Sequence, residues 1–317
     1  MGIQVEILKY IQLFKNPVLD GIFLGITMST EVPVILIMAS ILYWCINKKY
    51  GQRLLFALTG NIALNTGVKE FFKTPRPIGV PGIESMRTST ATGYSFPSGH
   101  TQIGTTFWVS IMSIIKKNYM YIIGTIIFIS IGLSRLYLGV HWPMDVLFGW
   151  IFGIGFTLIC NYILVKIEKN NKYTYFGFII IPMFFWIFIV NSVEYVKMFG
   201  LITGFIAGYI IEREYVDFDV NVCIKSKICR YIFGLLSLGL VYLALKFIMP
   251  ENYIGGYLRY ALLMIYAIAG APMIFEKIWK EWYFEKSSSY RWWSSRNGSS
   301  FYCSEYGKWS YFIREKW

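Results

Sequence analysis

Long apolar stretches alternate along this chain with short stretches that hold most of the charged residues. A helix of about 20 apolar residues spans a bilayer. Nine segments approach that length, at about 18–46, 53–72, 99–116, 119–138, 144–166, 175–193, 198–212, 230–249 and 257–275. The pattern predicts an all-α, polytopic helical membrane protein with about nine spans. The first segment is long, and Thr30-Glu31-Val32-Pro33 interrupts it. It is expected to be either one kinked span or a broken helix. Residues 1–17 carry Glu6, Lys9 and Lys15 and lack a small-residue cleavage site behind an apolar core. They are read as an interfacial helix rather than a removable leader. The expected organisation is that helix, a membrane core over 18–166, additional membrane spans over 167–284, and a polar and aromatic tail over 285–317. The tail shows neither span nor period and is assigned no role.

Composition agrees with a membrane environment. The chain of 317 residues is 56% hydrophobic and 15% charged, against about 25% charged for a soluble domain. The net charge of +12 raises nucleic-acid binding as a reading. The basic residues fall in short loops between apolar segments, which is the positive-inside pattern of membrane proteins instead. One side collects Lys48, Lys49, Arg53, Lys116, Lys117, Lys166, Lys169, Lys172, Arg213, Lys225, Lys227 and Arg230, together with the basic tail. That side is expected to be cytoplasmic, which puts the 73–98 loop and the C-terminus on opposite faces of a cell membrane. Cys45, Cys160, Cys223, Cys229 and Cys303 all fall near the inner face or in the tail, so no disulfide is expected. Cys223 and Cys229 have poor metal spacing and no nearby histidine, so no metal site is expected either.

Against this apolar background the chain has only two histidines. His100 closes Pro97-Ser98-Gly99-His100. His141 follows Arg135 and precedes Asp145. Lys69 and Arg76-Pro77 lie upstream. Ser98, Gly99 and His100 stand where a loop becomes a helix, and amides at a helix start bind anions. Arg76 and Arg135 offer planar forks that match phosphate oxygens, and Lys69 adds a point charge. An unprotonated imidazole attacks phosphorus well, which suits His141 to the role of nucleophile. Pro143 suits a first helical turn, so Asp145 lies about one turn above His141 and can orient its ring. His100 is then left as the general acid that protonates the leaving oxygen.

Lys69-x6-Arg76-Pro77, Pro97-Ser98-Gly99-His100 and Ser134-Arg135-x5-His141-x3-Asp145 resemble the three signature motifs of the type-2 phosphatidic acid phosphatase superfamily, which also includes soluble vanadium haloperoxidases. No motif position departs from the pattern. The resemblance implies a helical core in which the motif loops meet at one membrane face. It implies that Lys69, Arg76, Ser98, Gly99 and Arg135 hold phosphate, that His141 attacks, that His100 protonates the leaving group and that Asp145 orients His141. It also implies that no metal or other cofactor is needed. The expected activity is hydrolysis of a phosphomonoester or diphosphate of an amphiphilic lipid, of the undecaprenyl diphosphate, phosphatidate or phosphatidylglycerophosphate type. The alternatives are a lipid phosphotransferase using the same site and a non-catalytic lipid transporter or binding protein. Oligomeric state is not legible. Gly149-x3-Gly153 and Gly204-x3-Gly208 are expected to be helix-packing faces. Lys73 and Arg87 are expected to snorkel to the interface or to contact lipid headgroups.

Overall fold

A computed structural model describes residues 2–277, 300–303 and 309–312. The first unit, Met1–Met273, has only helices among its described secondary-structure elements. It runs α1 (Gly2–Gln12), α2 (Pro17–Met28), α3 (Val32–Ile41), α4 (Lys48–Phe72), α5 (Gly99–Ile115), α6 (Asn118–Tyr137), α7 (Pro143–Asn170), α8 (Gly177–Val190), α9 (Val193–Ile211), α10 (Ile224–Ile248) and α11 (Tyr253–Ile265). Short π-helical turns at Leu42–Ile46, Glu212–Val216 and Tyr266–Gly270 extend α3, α9 and α11. In the second unit, Ile274–Trp317, β1 (Ser300–Cys303) pairs antiparallel with β2 (Trp309–Phe312). The polar and aromatic tail over 285–317 was not expected to hold strands, and the rest of it lies outside the described residues.

Local chemistry sets the helix ends. Asn16 caps α2 by accepting from the amides of Val18 at 3.1 Å and Leu19 at 3.0 Å, with Pro17 in the first turn. Asn47 caps α4 in the same way through Tyr50. Lys73 ends α4 in a left-handed conformation two residues before Pro75, and Lys116 does the same for α5. The Asp145 carboxylate accepts from the Trp142 amide at 2.8 Å and so closes the start of α7.

All nine apolar segments are helical, but by length and composition nine crossings are not confirmed. Among the described residues six helices are long and apolar enough to cross. A seventh crossing requires joining α2 to α3, which bend by 52° at Ser29–Glu31. The first segment is therefore a broken helix. The two that drop out are α4 and α5. Helix α5 has 17 residues, about 26 Å of helix against a hydrocarbon core of about 30 Å. Helix α4 carries Gln52, Thr59, Asn61 and Asn65, all buried. A helix enclosed by other helices does not need an apolar surface, and α4 is enclosed by α5, α7 and α9.

Buried polar groups in this interior pair with one another. Asn65 donates to Gln102 Oε1 at 2.8 Å, Gln102 donates to Asn61 Oδ1 at 2.9 Å, and Asn61 donates to Thr157 Oγ1 at 3.2 Å. The chain of bonds ties α4 to α5 and α7. Close approach between helices uses small residues, as the sequence pattern anticipates. A Cβ on Gly149 would lie 3.0 Å from the Thr101 Cβ, and one on Gly204 would lie 2.3 Å from the Ala261 carbonyl oxygen. The C-terminal ends of α4 and α6 and the N-terminal ends of α5 and α7 carry the motif residues, so the up-and-down order brings all of them to one end of the bundle.

Helix α1 packs on that end. Leu8 is fully buried in a cluster with Ile83, Leu136, Trp142 and Val146. Gln12 and Glu84 exchange two bonds, Gln12 Nε2 to the Glu84 carbonyl oxygen at 2.8 Å and the Glu84 amide to Gln12 Oε1 at 3.0 Å.

Candidate active site

A cavity of about 360 Å³ opens at the motif end. Lys69, Arg76, Gly99, His100 and His141 line one part of it, and Thr30, Glu31, Val32 and Pro33 line another. The two histidines, distant in sequence, thus share one space. Ser98, Arg135 and Asp145 stand behind its lining, each almost fully buried.

The His141 ring is held at both nitrogens. Nδ1 lies 3.3 Å from Asp145 Oδ2, and Nε2 lies 2.9 Å from Arg76 Nη1. A guanidinium only donates, so Nε2 is the acceptor and Nδ1 carries the proton toward Asp145. This is the tautomer that leaves the Nε2 lone pair on the cavity side. Burial, then the positive charges of Arg76, Lys69 and Arg135, hold the His141 pKa well below the usual imidazole value. The ring is therefore neutral at neutral pH, as a nucleophile must be.

The cations do two jobs. Arg76 donates from Nε to the Gly93 carbonyl oxygen at 3.0 Å, from Nη2 to Thr92 at 2.8 Å and from Nη1 to Val140 at 3.1 Å, as well as to His141. Four of its five N–H groups are in use, and the bond to His141 is the one a phosphate oxygen can replace. Lys69 donates to the carbonyl oxygens of Tyr94 at 2.7 Å and Ser95 at 3.2 Å, leaving one of its three protons. Both side chains thus fold the 92–95 segment over the cavity.

Arg135 and His100 are different. Arg135 is completely buried, and Nη1 donates to Thr27 Oγ1 at 3.2 Å. Its Nε and Nη2 have no partner, and neither has Nε2 of His100. Buried donors without partners are uncommon and costly, and they concentrate where a ligand is meant to satisfy them. The helix start at Gly99 and His100 adds first-turn amides. The amide of Ser98 is not among them, because it donates to the Asp145 carbonyl oxygen at 2.9 Å. Ser98 Oγ accepts from Thr101 at 2.9 Å.

All eight motif residues come together. Three contributions were not anticipated. Ser95, fully buried, donates from Oγ to Asp145 Oδ2 and sits 3.3 Å from His141 Nδ1. Thr27 of α2 supports Arg135 and also lies 2.8 Å from Ser134 Oγ. Arg87 is not a snorkelling cation. It forms an ion pair with Glu31 at the cavity. No spacing signal marks Ser95 or Thr27, whereas the Glu31-x-Pro33 interruption in an apolar stretch was a signal for Glu31. Among the described residues no three His, Cys, Asp or Glu side chains converge as metal ligands would.

Residues 51–169 match the model of the PAP2 superfamily, and residues 196–280 match that of the PAP2 superfamily phosphatase transmembrane extension. The undecaprenyl-diphosphatase of Sulfolobus acidocaldarius is 30% identical over 54% of this chain and 81% of its own length. The chain belongs to the PAP2 superfamily. Phosphatidylglycerophosphatase B of Bacillus subtilis is 29% identical over 45% of this chain and 73% of that protein. The crystal structure of Aquifex aeolicus LpxE shares 27% identity, covers 50% of this chain and 94% of that one, and has a TM-score of 0.45. The protein is a multi-pass membrane enzyme, a lipid phosphatase. Helices α1 to α3 precede the matched core, and α10, α11 and all but the first three residues of α9 lie within the matched extension.

Proposed function

We propose that this PAP2 phosphatase hydrolyses a phosphomonoester or diphosphate of an amphiphilic lipid through a phosphohistidine at His141, without a metal. One observation carries the reading. A neutral His141, steered by Asp145, shares a cavity with His100, while Arg135 behind it keeps buried donors unpartnered.

The substrate's terminal phosphate takes the place of Arg76 at His141 Nε2 and receives bonds from Lys69, Arg76, Arg135, the Ser98 hydroxyl and the first-turn amides of Gly99 and His100. These donors gain most as charge shifts on the equatorial oxygens in the transition state. His141 Nε2 then forms the N–P bond as the P–O bond to the leaving group breaks, and His100 gives that oxygen its proton. The phosphate's negative charge offsets the surrounding cations and lets His100 hold a proton until then. Asp145 stabilises the positive charge on His141. In the second half His100 takes a proton from water, the water oxygen attacks phosphorus, the N–P bond breaks and phosphate leaves.

The similarity to an undecaprenyl-diphosphatase and a phosphatidylglycerophosphatase supports isoprenoid diphosphates and glycerophospholipid phosphates as the classes to try. The distribution of Lys and Arg supports a site on the extracytoplasmic face of a cell membrane with the C-terminus in the cytoplasm. Purified protein in detergent with a chelator is expected to release free phosphate from such lipids, and His141→Ala is expected to lose at least about a thousandfold of that rate. An acid-labile labelled enzyme should be trapped in wild type and absent in the variant. Dependence on an added divalent ion, or full activity in His141→Ala, would refute the mechanism.

A further inference from the structure

The cavity contains a carboxylate that the phosphatase chemistry does not use. Among the described residues Glu31 is its one acidic lining residue, which is unexpected in a space built for anions. It stands at the break between α2 and α3, in a stretch that precedes the matched family core. Thr30 beside it is buried, and the Thr30 hydroxyl donates to the Thr27 carbonyl oxygen at 2.9 Å. The break is therefore anchored next to the Thr27 hydroxyl that supports Arg135.

The partner of Glu31 comes from the loop over the cavity. Arg87 donates from both Nε, at 3.1 Å, and Nη2 to the same oxygen, Oε1. The side chains of both residues are 26% exposed, so the pair is neither a solvated surface contact nor a sealed core one. Arg87 has φ of +53°. That left-handed backbone is unfavourable by about 1 kcal/mol or more for a residue with a Cβ, and strained residues of this kind concentrate at working sites. A guanidinium beside a phosphate cradle is a ready ligand for a second phosphoryl group, and here it is neutralised by an acid that lines the cavity.

We infer that the Glu31–Arg87 pair sets how much negative charge the cavity accepts beyond the reacting phosphoryl group, and so sets the preference between lipid diphosphate and lipid monophosphate. This rests on the phosphatase reading above. With Glu31 ionised and bound to Arg87, the rim is neutral overall and the second phosphoryl group of a diphosphate gains little there. Without the Glu31 charge, Arg87 is free to donate its fork to that group. Without the Arg87 charge, Glu31 stands unpaired and repels it. A monophosphate, whose leaving oxygen carries only the uncharged lipid, is affected much less by either change.

The test uses the full chain in detergent with the mono- and diphosphate of one prenyl alcohol, so that both substrates share a tail. The readout is the ratio of kcat/KM for diphosphate to that for monophosphate. Glu31→Gln is expected to raise the ratio about tenfold and Arg87→Gln to lower it by a similar factor, the scale of one charge-assisted hydrogen bond. The double variant should return toward the wild-type ratio. A ratio unchanged in both single variants, with the wild type active, overturns the inference and leaves the phosphatase reading intact. A wild type that releases phosphate from neither substrate overturns both. If a single variant misfolds, protection of the wild type and the other variant against heating by inorganic pyrophosphate and by phosphate reads the same preference. Equal relative protection in the two proteins counts against the pair.

Discussion

Two helix pairs in this protein use the same packing device to different ends. Helices α5 and α7 meet at Gly149 and Gly153, and helices α9 and α11 meet at Gly200 and Gly204. In the first pair the glycines face Thr101, Thr105 and the backbone that begins α5, including the Ser98 carbonyl oxygen 3.1 Å from a Cβ on Gly149. In the second they face the carbonyl oxygens of Tyr257 and Ala261. Both permit near-contact between backbones, where dispersion and polar contacts replace the hydrophobic drive that lipid does not supply. The first contact also fixes where Ser98, Gly99 and His100 stand relative to His141 and Asp145. The second holds no motif residue. The comparison separates a membrane scaffold from a scaffold that aims a site.

Substitution should split the two. Gly204→Ala places a Cβ 2.3 Å from the Ala261 carbonyl oxygen and 2.7 Å from its Cα. Backbone cannot swing aside, so α9 and α11 must separate, at a cost of about 1–3 kcal/mol. Thermal stability should fall, while kcat of the protein that remains folded should match wild type. Gly149→Ala meets Thr101 at 3.0 Å, a milder clash that a small shift of α5 relieves. That shift moves the phosphate loop, and sub-ångström misplacement of reacting groups lowers rates roughly tenfold or more. Activity should drop with little loss of stability. Melting curves and phosphate release on the same preparations decide it. Equal loss of activity in the two variants would erase the distinction.

The difference also explains what the sequence made legible. Lys69, Arg76, Ser98, His100, Arg135, His141 and Asp145 sit at helix ends in three short runs, and their spacing is visible without coordinates. The helices were legible from apolar length but their ends were not: α4, α9 and α10 begin at Lys48, Val193 and Ile224, ahead of the apolar segments that mark them. The crossing count was not legible either: α4, enclosed by other helices, carries buried Gln52, Asn61 and Asn65 and falls short on apolarity, and α5 falls short on length. Ser95, Thr27 and the Glu31–Arg87 pair were hidden for a related reason. Their partners lie 46 or more residues away in sequence, and a single hydroxyl carries no periodic signal.

Ser95 belongs to the aiming half without itself lining the cavity. Its hydroxyl shares Asp145 Oδ2 with the Trp142 amide and the His141 ring. Removing it leaves Asp145 freer to rotate and His141 less firmly oriented. Ser95→Ala should lower kcat by about tenfold, on the order of one charge-assisted bond, with KM little changed. Ser95→Thr, which restores the hydroxyl, should recover part of the loss. A fall in stability with kcat intact would make Ser95 an ordinary packing residue.

The smallest expected effect concerns charge rather than position. Burial depresses the His141 pKa most, and Arg76 is the largest single charge acting in the same direction. A depressed pKa means that more acid is needed to protonate the nucleophile. The acid limb of kcat/KM due to His141 should therefore lie below the usual imidazole value of about 6.5. Arg76→Gln removes one positive neighbour and leaves the burial. The pKa should rise toward the usual value, and the limb should move to higher pH, whatever the loss in absolute rate from weaker phosphate binding. Any limb set by the substrate's own ionisation is common to both proteins, so the displacement between their profiles isolates the enzyme's group. Gly204→Ala alters neither burial nor charge at His141 and should leave the limb where it is. A limb that stays fixed in Arg76→Gln, or moves in Gly204→Ala, would show that the two halves are not electrostatically separate.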